Sequence, residues 1–85
     1  MKIEEVLNHD LKFQYSLLSR LQQDCEYFLG NGDGNLKHLW ADTVEEHIEY
    51  MKAIYKNLKD KPEWLLEEAI EEYRILMNKK GVNYV

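Results

Sequence analysis

The sequence predicts an all-α fold, a small three-helix bundle with a glycine-rich loop between helices 1 and 2. Three observations point to it. Apolar residues recur at three- and four-residue steps in three separate stretches, the spacing that gathers side chains on one face of a helix. Helix-start signals stand ahead of these stretches, at Asp10, at Thr43 and around Pro62. Between the first and second stretches, Gly30, Asn31, Gly32, Asp33, Gly34 and Asn35 concentrate the residues of tight reversals.

Residues 1–9 read as a short helical turn with Ile3, Val6 and Leu7 on one side. Asp10 is placed to cap the first main helix, its carboxylate accepting from the exposed amides of the first turn. Leu11, Tyr15, Leu18, Leu21, Cys25 and Phe28 then form a core-facing stripe. Gln14, Arg20, Gln23, Asp24 and Glu26 are assigned largely to the other side. Gly30 is expected to end the helix in the left-handed conformation open to glycine. Leu36, Leu39 and Trp40 return apolar surface to the core after the loop.

Thr43, Val44, Glu45 and Glu46 make a capping box, in which hydroxyl and carboxylate satisfy backbone amides reciprocally. The helix that follows carries Val44, His47 or Ile48, Met51, Ile54, Tyr55 and Leu58 on its apolar side. Lys56, Lys59 and Lys61 lie near its end, where the helix dipole favours cations. Proline fits a first turn but breaks a helix interior, so Asp60, Lys61, Pro62 and Glu63 close this helix and open the next. Trp64, Leu65, Leu66, Ala69, Ile70, Tyr73, Leu76 and Met77 form the third apolar face, which Gly81 is expected to close. The expected core is Leu18, Leu21, Trp40, Met51, Ile54, Trp64, Ile70 and Tyr73.

At 85 residues the chain is read as one domain, 1–85. A chain of this size buries only about 60% of the surface its unfolded form exposes, which leaves little room for an enzyme's cleft. The charged fraction of 32% beside 45% hydrophobic residues is that of a globular protein, not a disordered one. A net charge of -5 argues against direct nucleic-acid binding, which needs clustered Lys and Arg, and suits a basic partner. The single cysteine, Cys25, forms no internal disulfide. There is no apolar signal core at the N-terminus and no apolar run approaching about 18 residues. The expected location is therefore cytoplasmic, the host cell's cytoplasm if phage-encoded, with no membrane partner.

The loop does not match a calcium site: with Asp33 as the fifth ligand position, the first would be Leu29 and the twelfth Trp40. It lacks the preceding strand and the GK[ST] of a phosphate loop. His9, His38 and His47 have no zinc-ligand spacing, and Val44 stands where an ExxH motif needs its glutamate. His38 is read as a loop cap and Cys25 as a buried, inert thiol. Ser16 and Ser19 have no evident base. The chain is thus expected to be no enzyme and to use no cofactor, metal or catalytic residue. Tyr27, Trp40, Tyr50, Tyr55 and Trp64 are assigned to the core ahead of a binding platform.

The feature that points outward is acidic. Glu45, Glu46 and Glu49 are placed on the second helix and Glu63, Glu67, Glu68, Glu71 and Glu72 on the third. Like charges four residues apart disfavour a helix by a few tenths of a kcal/mol (~0.2–0.5) per pair. A purely structural surface intersperses lysines there. These eight glutamates are the candidate partner-binding residues, a face able to imitate phosphate charge toward a basic groove.

The run of residues 17–32, LLSRLQQDCEYFLGNG, with Lys37, His38, Leu39, Trp40 and Ala41, and later Lys61, Pro62, Glu63, Trp64 and Leu65, resembles a known family. It is similar to the large polyvalent protein-associated domains, the eleventh of that series, over residues 13–73. The chain departs from it at Gly34, where a basic residue is usual, and at Leu66, where a hydroxyl residue is expected. The resemblance implies a phage or conjugative-element protein, since such domains occur in large multi-domain proteins of these elements and as short stand-alone chains. It also makes a role in protecting incoming DNA from host defences plausible. The expected function is a small non-enzymatic inhibitor of a host defence component, of anti-CRISPR or anti-restriction type, acting through the acidic helical face. Its partner would be a nucleic-acid-binding defence effector. The alternative is an accessory interaction or dimerisation module, a homodimer, with no inhibitory role.

Overall fold

The computed structural model describes residues 3–32, 39 and 43–84, with backbone alone for 80–84. These residues form four helices, α1 (Ile3–Asn8), α2 (Leu11–Leu29), α3 (Val44–Asn57) and α4 (Glu67–Tyr84), and no strand among them. The all-α class agrees with the sequence. The count does not, because the stretch read as a turn closes a helix of its own. The longer three helices contact one another, and α1 lies against α3.

Six residues are too few for a helix to persist alone, and α1 is held by its surroundings. Val6 is buried in the core. The side-chain amide of Gln14 donates to the carbonyls of Leu7 (3.3 Å) and His9 (2.9 Å), meeting acceptors that the helix end leaves open. Asp10 caps α2 as expected, its Oδ1 accepting from the Phe13 amide at 2.8 Å. Gln14 itself is a correction. It is buried, at 1% exposure, on the face that carries Leu18, Leu21 and Cys25, and Asn57 donates to its Oε1 at 2.9 Å. One side chain therefore ties the end of α1 and the end of α3 to α2.

At the other end of α2, the Gly30 amide donates to the carbonyls of Glu26 and Tyr27. Its φ is -107°, so the left-handed stop expected there is not used. The position that requires glycine is Gly32, whose amide donates to the Tyr27 carbonyl at 2.6 Å. A Cβ on Gly32 would sit 2.8 Å from that oxygen and 2.9 Å from the Tyr27 ring. Asp33, Gly34, Asn35, His38 and Trp40, and with them most of the expected loop, lie outside the described residues.

The core gathers Leu18, Leu21, Met51, Ile54 and Ile70 as expected, together with Phe28, Ile48, Leu58, Leu65 and Met77. Trp64 is a second correction: it is 47% exposed. The helix expected to open at Pro62 begins at Glu67, and residues 58–66 form the connection from α3. Leu58, Pro62 and Leu65 are the buried anchors of that connection. The Tyr15 hydroxyl donates to the Asp60 carbonyl, and Lys61 Nζ donates to the carbonyls of Tyr55, Lys56 (3.2 Å) and Leu58 (2.6 Å). These bonds hold the segment out of helical geometry, so Trp64 turns toward solvent while Leu65 takes the inner place. Gly81 does not close α4, which runs on through Tyr84.

Replacing Gln14 by Ala leaves Asn57 and two carbonyls without their partner, so Gln14→Ala is expected to destabilise the fold by about 1–3 kcal/mol. Leu11→Ala, at a half-exposed position, should stay within about 0.5 kcal/mol. Urea unfolding followed by circular dichroism measures both.

Candidate functional site

The candidate surface is built on α3 and α4, and both begin with acids. Thr43 Oγ1 accepts from the Glu46 amide at 3.1 Å, the hydroxyl half of the expected capping box, and fixes the start of α3. The Leu66 carbonyl accepts from the amides of Ala69 and Ile70 and starts α4. Glu45 and Glu46 occupy the first turn of α3, and Glu67 and Glu68 that of α4. Each pair faces the positive pole of its helix, a favourable placement.

The two helices run antiparallel, and their seam carries both signs of charge. Lys52 Nζ lies 2.9 Å from Glu71. Arg74 Nε donates to the same carboxylate at 2.7 Å, and its guanidinium lies 3.7 Å from Glu45. Asn78 donates to Glu45 at 3.0 Å. The hydrogen bonds from Arg74 and then Lys52 hold the Glu71 carboxyl down at about 2, against a smaller opposing effect of burial. Glu45 and Glu71 are therefore committed within the chain.

The other expected partner-binding residues, Glu46, Glu49, Glu63, Glu67, Glu68 and Glu72, are exposed and form no ion pair among the described residues. Glu63 lies in the connecting turn and not on the third helix. Glu67 and Glu68 edge an open groove of about 570 Å³ between α3 and α4, shared with Lys52, Tyr55, Lys56, Lys61, Ile70 and Glu71. Lys61 lies 5.0 Å from the centre of the Tyr55 ring. The arrangement offers carboxylates to a cationic surface, with the exposed Lys52, Lys56 and Lys61 beside them. Pairing across the seam was not visible from the sequence, although Glu71 and Arg74 at i, i+3 signalled half of it.

The histidines and the cysteine fall elsewhere. Cys25 is buried with its Sγ 3.5 Å from Met51 Sδ. Burial, then the charges of Asp24 and Glu26, push the thiol up to about 12. His47 is fully buried, and its Nε2 lies 2.9 Å from the Leu21 carbonyl. A carbonyl can only accept, so this nitrogen carries the proton. Burial lowers the pKa of His47 below its ordinary value, against the opposing effects of the Leu21 carbonyl and the Asp24 charge. Among the described residues, no group of three or more His, Cys, Asp or Glu side chains is arranged to hold a metal ion. Among the same residues, no helix is long and apolar enough to cross a membrane.

The family model described as Large polyvalent protein-associated domain 11 matches residues 11–77, from the first residue of α2 to the buried Met77 of α4. No curated protein and no solved structure matches the chain.

Neutral in the fold and free to charge when unfolded, His47 makes the unfolded state bind more protons below its ordinary pKa of 6.5. Stability is thus full above that value and falls as the pH drops toward the lower folded one. Glu71 contributes its own loss only as the pH falls from 4.5 toward 2. Thermal melts between pH 7 and 5 should show a falling Tm, with a flatter profile for His47→Gln. Native Cys25 should react with a disulfide reagent slower than unfolded chain by a factor on the order of a hundred or more.

Proposed function

The chain belongs to the large polyvalent protein-associated domain 11 family, and from that premise we propose a non-enzymatic protein that binds and inhibits a host defence component. Membership carries an association with phages and mobile elements. The observation that supports a binding role is the set of six exposed glutamates that form no ion pair among the described residues, once Lys52 and Arg74 have engaged Glu45 and Glu71.

Physically, these carboxylates stand in for nucleic-acid phosphates. A defence effector that seizes DNA or RNA presents Lys and Arg in a groove, and an acidic surface is steered to it at long range. Once seated, it displaces the counterions that phosphates would displace and denies the groove to nucleic acid. Catalysis plays no part in such a mechanism. A CRISPR effector or a restriction enzyme is the class of partner that this chemistry fits.

The test is capture of a nucleic-acid-binding protein from host lysate, followed by titration of the purified pair. Affinity is expected to fall about tenfold or more between 50 and 200 mM salt. Neutralising Glu46, Glu49, Glu63 and Glu67 together to Gln should weaken binding about tenfold or more at fixed salt, with the fold intact by circular dichroism. Binding that ignores both salt and these substitutions contradicts the reading.

A further inference from the structure

We propose that the outer face of α4 pairs with the same face of a second copy of this chain, antiparallel, about a twofold axis between Ile75 and Leu76. Ile70 and Met77 turn the inner face of α4 into the core, yet Ile75 and Leu76 on its outer side are 44% and 41% exposed. A helix apolar on two sides is one that is covered on both. A domain this small, with little buried area to spare, leaves two large neighbouring apolar side chains in water at the middle of an 18-residue helix.

The charges around them identify the occupant. At helical spacing Glu68, Glu72, Ile75 and Lys79 fall on one strip, with Leu76 beside it. The acids occupy its N-terminal half and the lysine its C-terminal half. Glu72 and Lys79 are exposed and form no ion pair among the described residues. They lie about 10 Å apart along the helix axis, too far to meet each other.

Glu72 and Lys79 are equally distant from the midpoint between Ile75 and Leu76. A second α4 run antiparallel about that midpoint sets Ile75 beside the partner's Leu76 and Glu72 beside the partner's Lys79, each contact twice. A parallel copy would oppose Glu72 to the partner's Glu72. One axis thus satisfies both the apolar and the charged residues, the condition for a self-complementary interface. A single helix face buries less than the roughly 1,600 Å² of a standard interface, so the dimer is weak and exchanges quickly. The pairing engages Glu72, one of the six carboxylates of the proposed inhibitory surface, whereas the test of that role uses Glu46, Glu49, Glu63 and Glu67, so the two can fail separately.

Sedimentation velocity on the full chain, from low micromolar to about 1 mM, tests the pairing. The wild type should pass from monomer to dimer within that range, with Kd on the order of 1–100 µM. Ile75→Glu and, as a second apolar variant, Leu76→Lys should remain monomeric throughout. Glu72→Lys and Lys79→Glu should each weaken association about tenfold or more, because each places like charges together at two points. The double variant E72K/K79E should recover the wild-type Kd to within about threefold. A wild type that stays monomeric, an Ile75→Glu variant that dimerises normally, or a charge swap without recovery would overturn the proposal. All variants change exposed residues, and circular dichroism verifies that each is folded.

Discussion

Two buried polar side chains, Gln14 and His47, fasten α2 to the rest of the molecule. Apolar burial drives the helices together but is indifferent to how they are rotated or slid against each other. Hydrogen bonds are not indifferent. Gln14 accepts from Asn57 at the end of α3 and donates to the carbonyls of Leu7, in α1, and His9, just past it, while His47 reaches from α3 to the Leu21 carbonyl in the middle of α2. Away from water, each of these groups must be partnered or its full desolvation penalty falls on the fold. A shift of α3 along α2 would strand several of them together, so one arrangement is selected over its neighbours.

That arrangement decides what the outside of the molecule offers. With Met51, Ile54 and His47 turned inward, α3 presents Glu45 and Lys52 to α4, and Arg74, Glu71 and Asn78 answer them. Two acids and two cations are engaged together there, which leaves the balance of the remaining charges unchanged. The acidic exterior follows from the -5 net charge, and the pairing of the seam decides which glutamates stand outside it. The same geometry leaves Ile75 and Leu76 outside, because the inner face of α4 is already filled by Ile70 and Met77.

Much of this was legible in the residues. Asp10 and Thr43 are local signals, each read from a few neighbours, and both caps stand where they were expected. The apolar spacing placed Leu18, Leu21, Met51, Ile54 and Ile70 inside. Gln14 is polar and yet lies inside, because its position, one turn before Leu18 and two before Leu21, outranks its identity. Trp64 faces solvent because Pro62 opens no helix: residues 58–66 are needed to cross from α3 to α4. The withdrawal of Glu45 and Glu71 into ion pairs depends on the rotation of α3 against α4, a tertiary quantity that no local spacing contains. The family resemblance read from residues 17–32 and the tryptophan segments agrees with the match over 11–77.

The fastening of α2 to α3 is tested most directly at the His47 ring. Long-range ¹H–¹⁵N correlation spectra of the folded protein, recorded from pH 8 downward, report which nitrogen carries the proton and when the ring charges. A ring buried between α2 and α3 stays neutral as the pH passes below 6.5, and donation to the Leu21 carbonyl keeps its proton at Nε2, for as long as the chain remains folded. A ring that titrates at 6.5 in the intact fold, or carries its proton on Nδ1, would contradict the account.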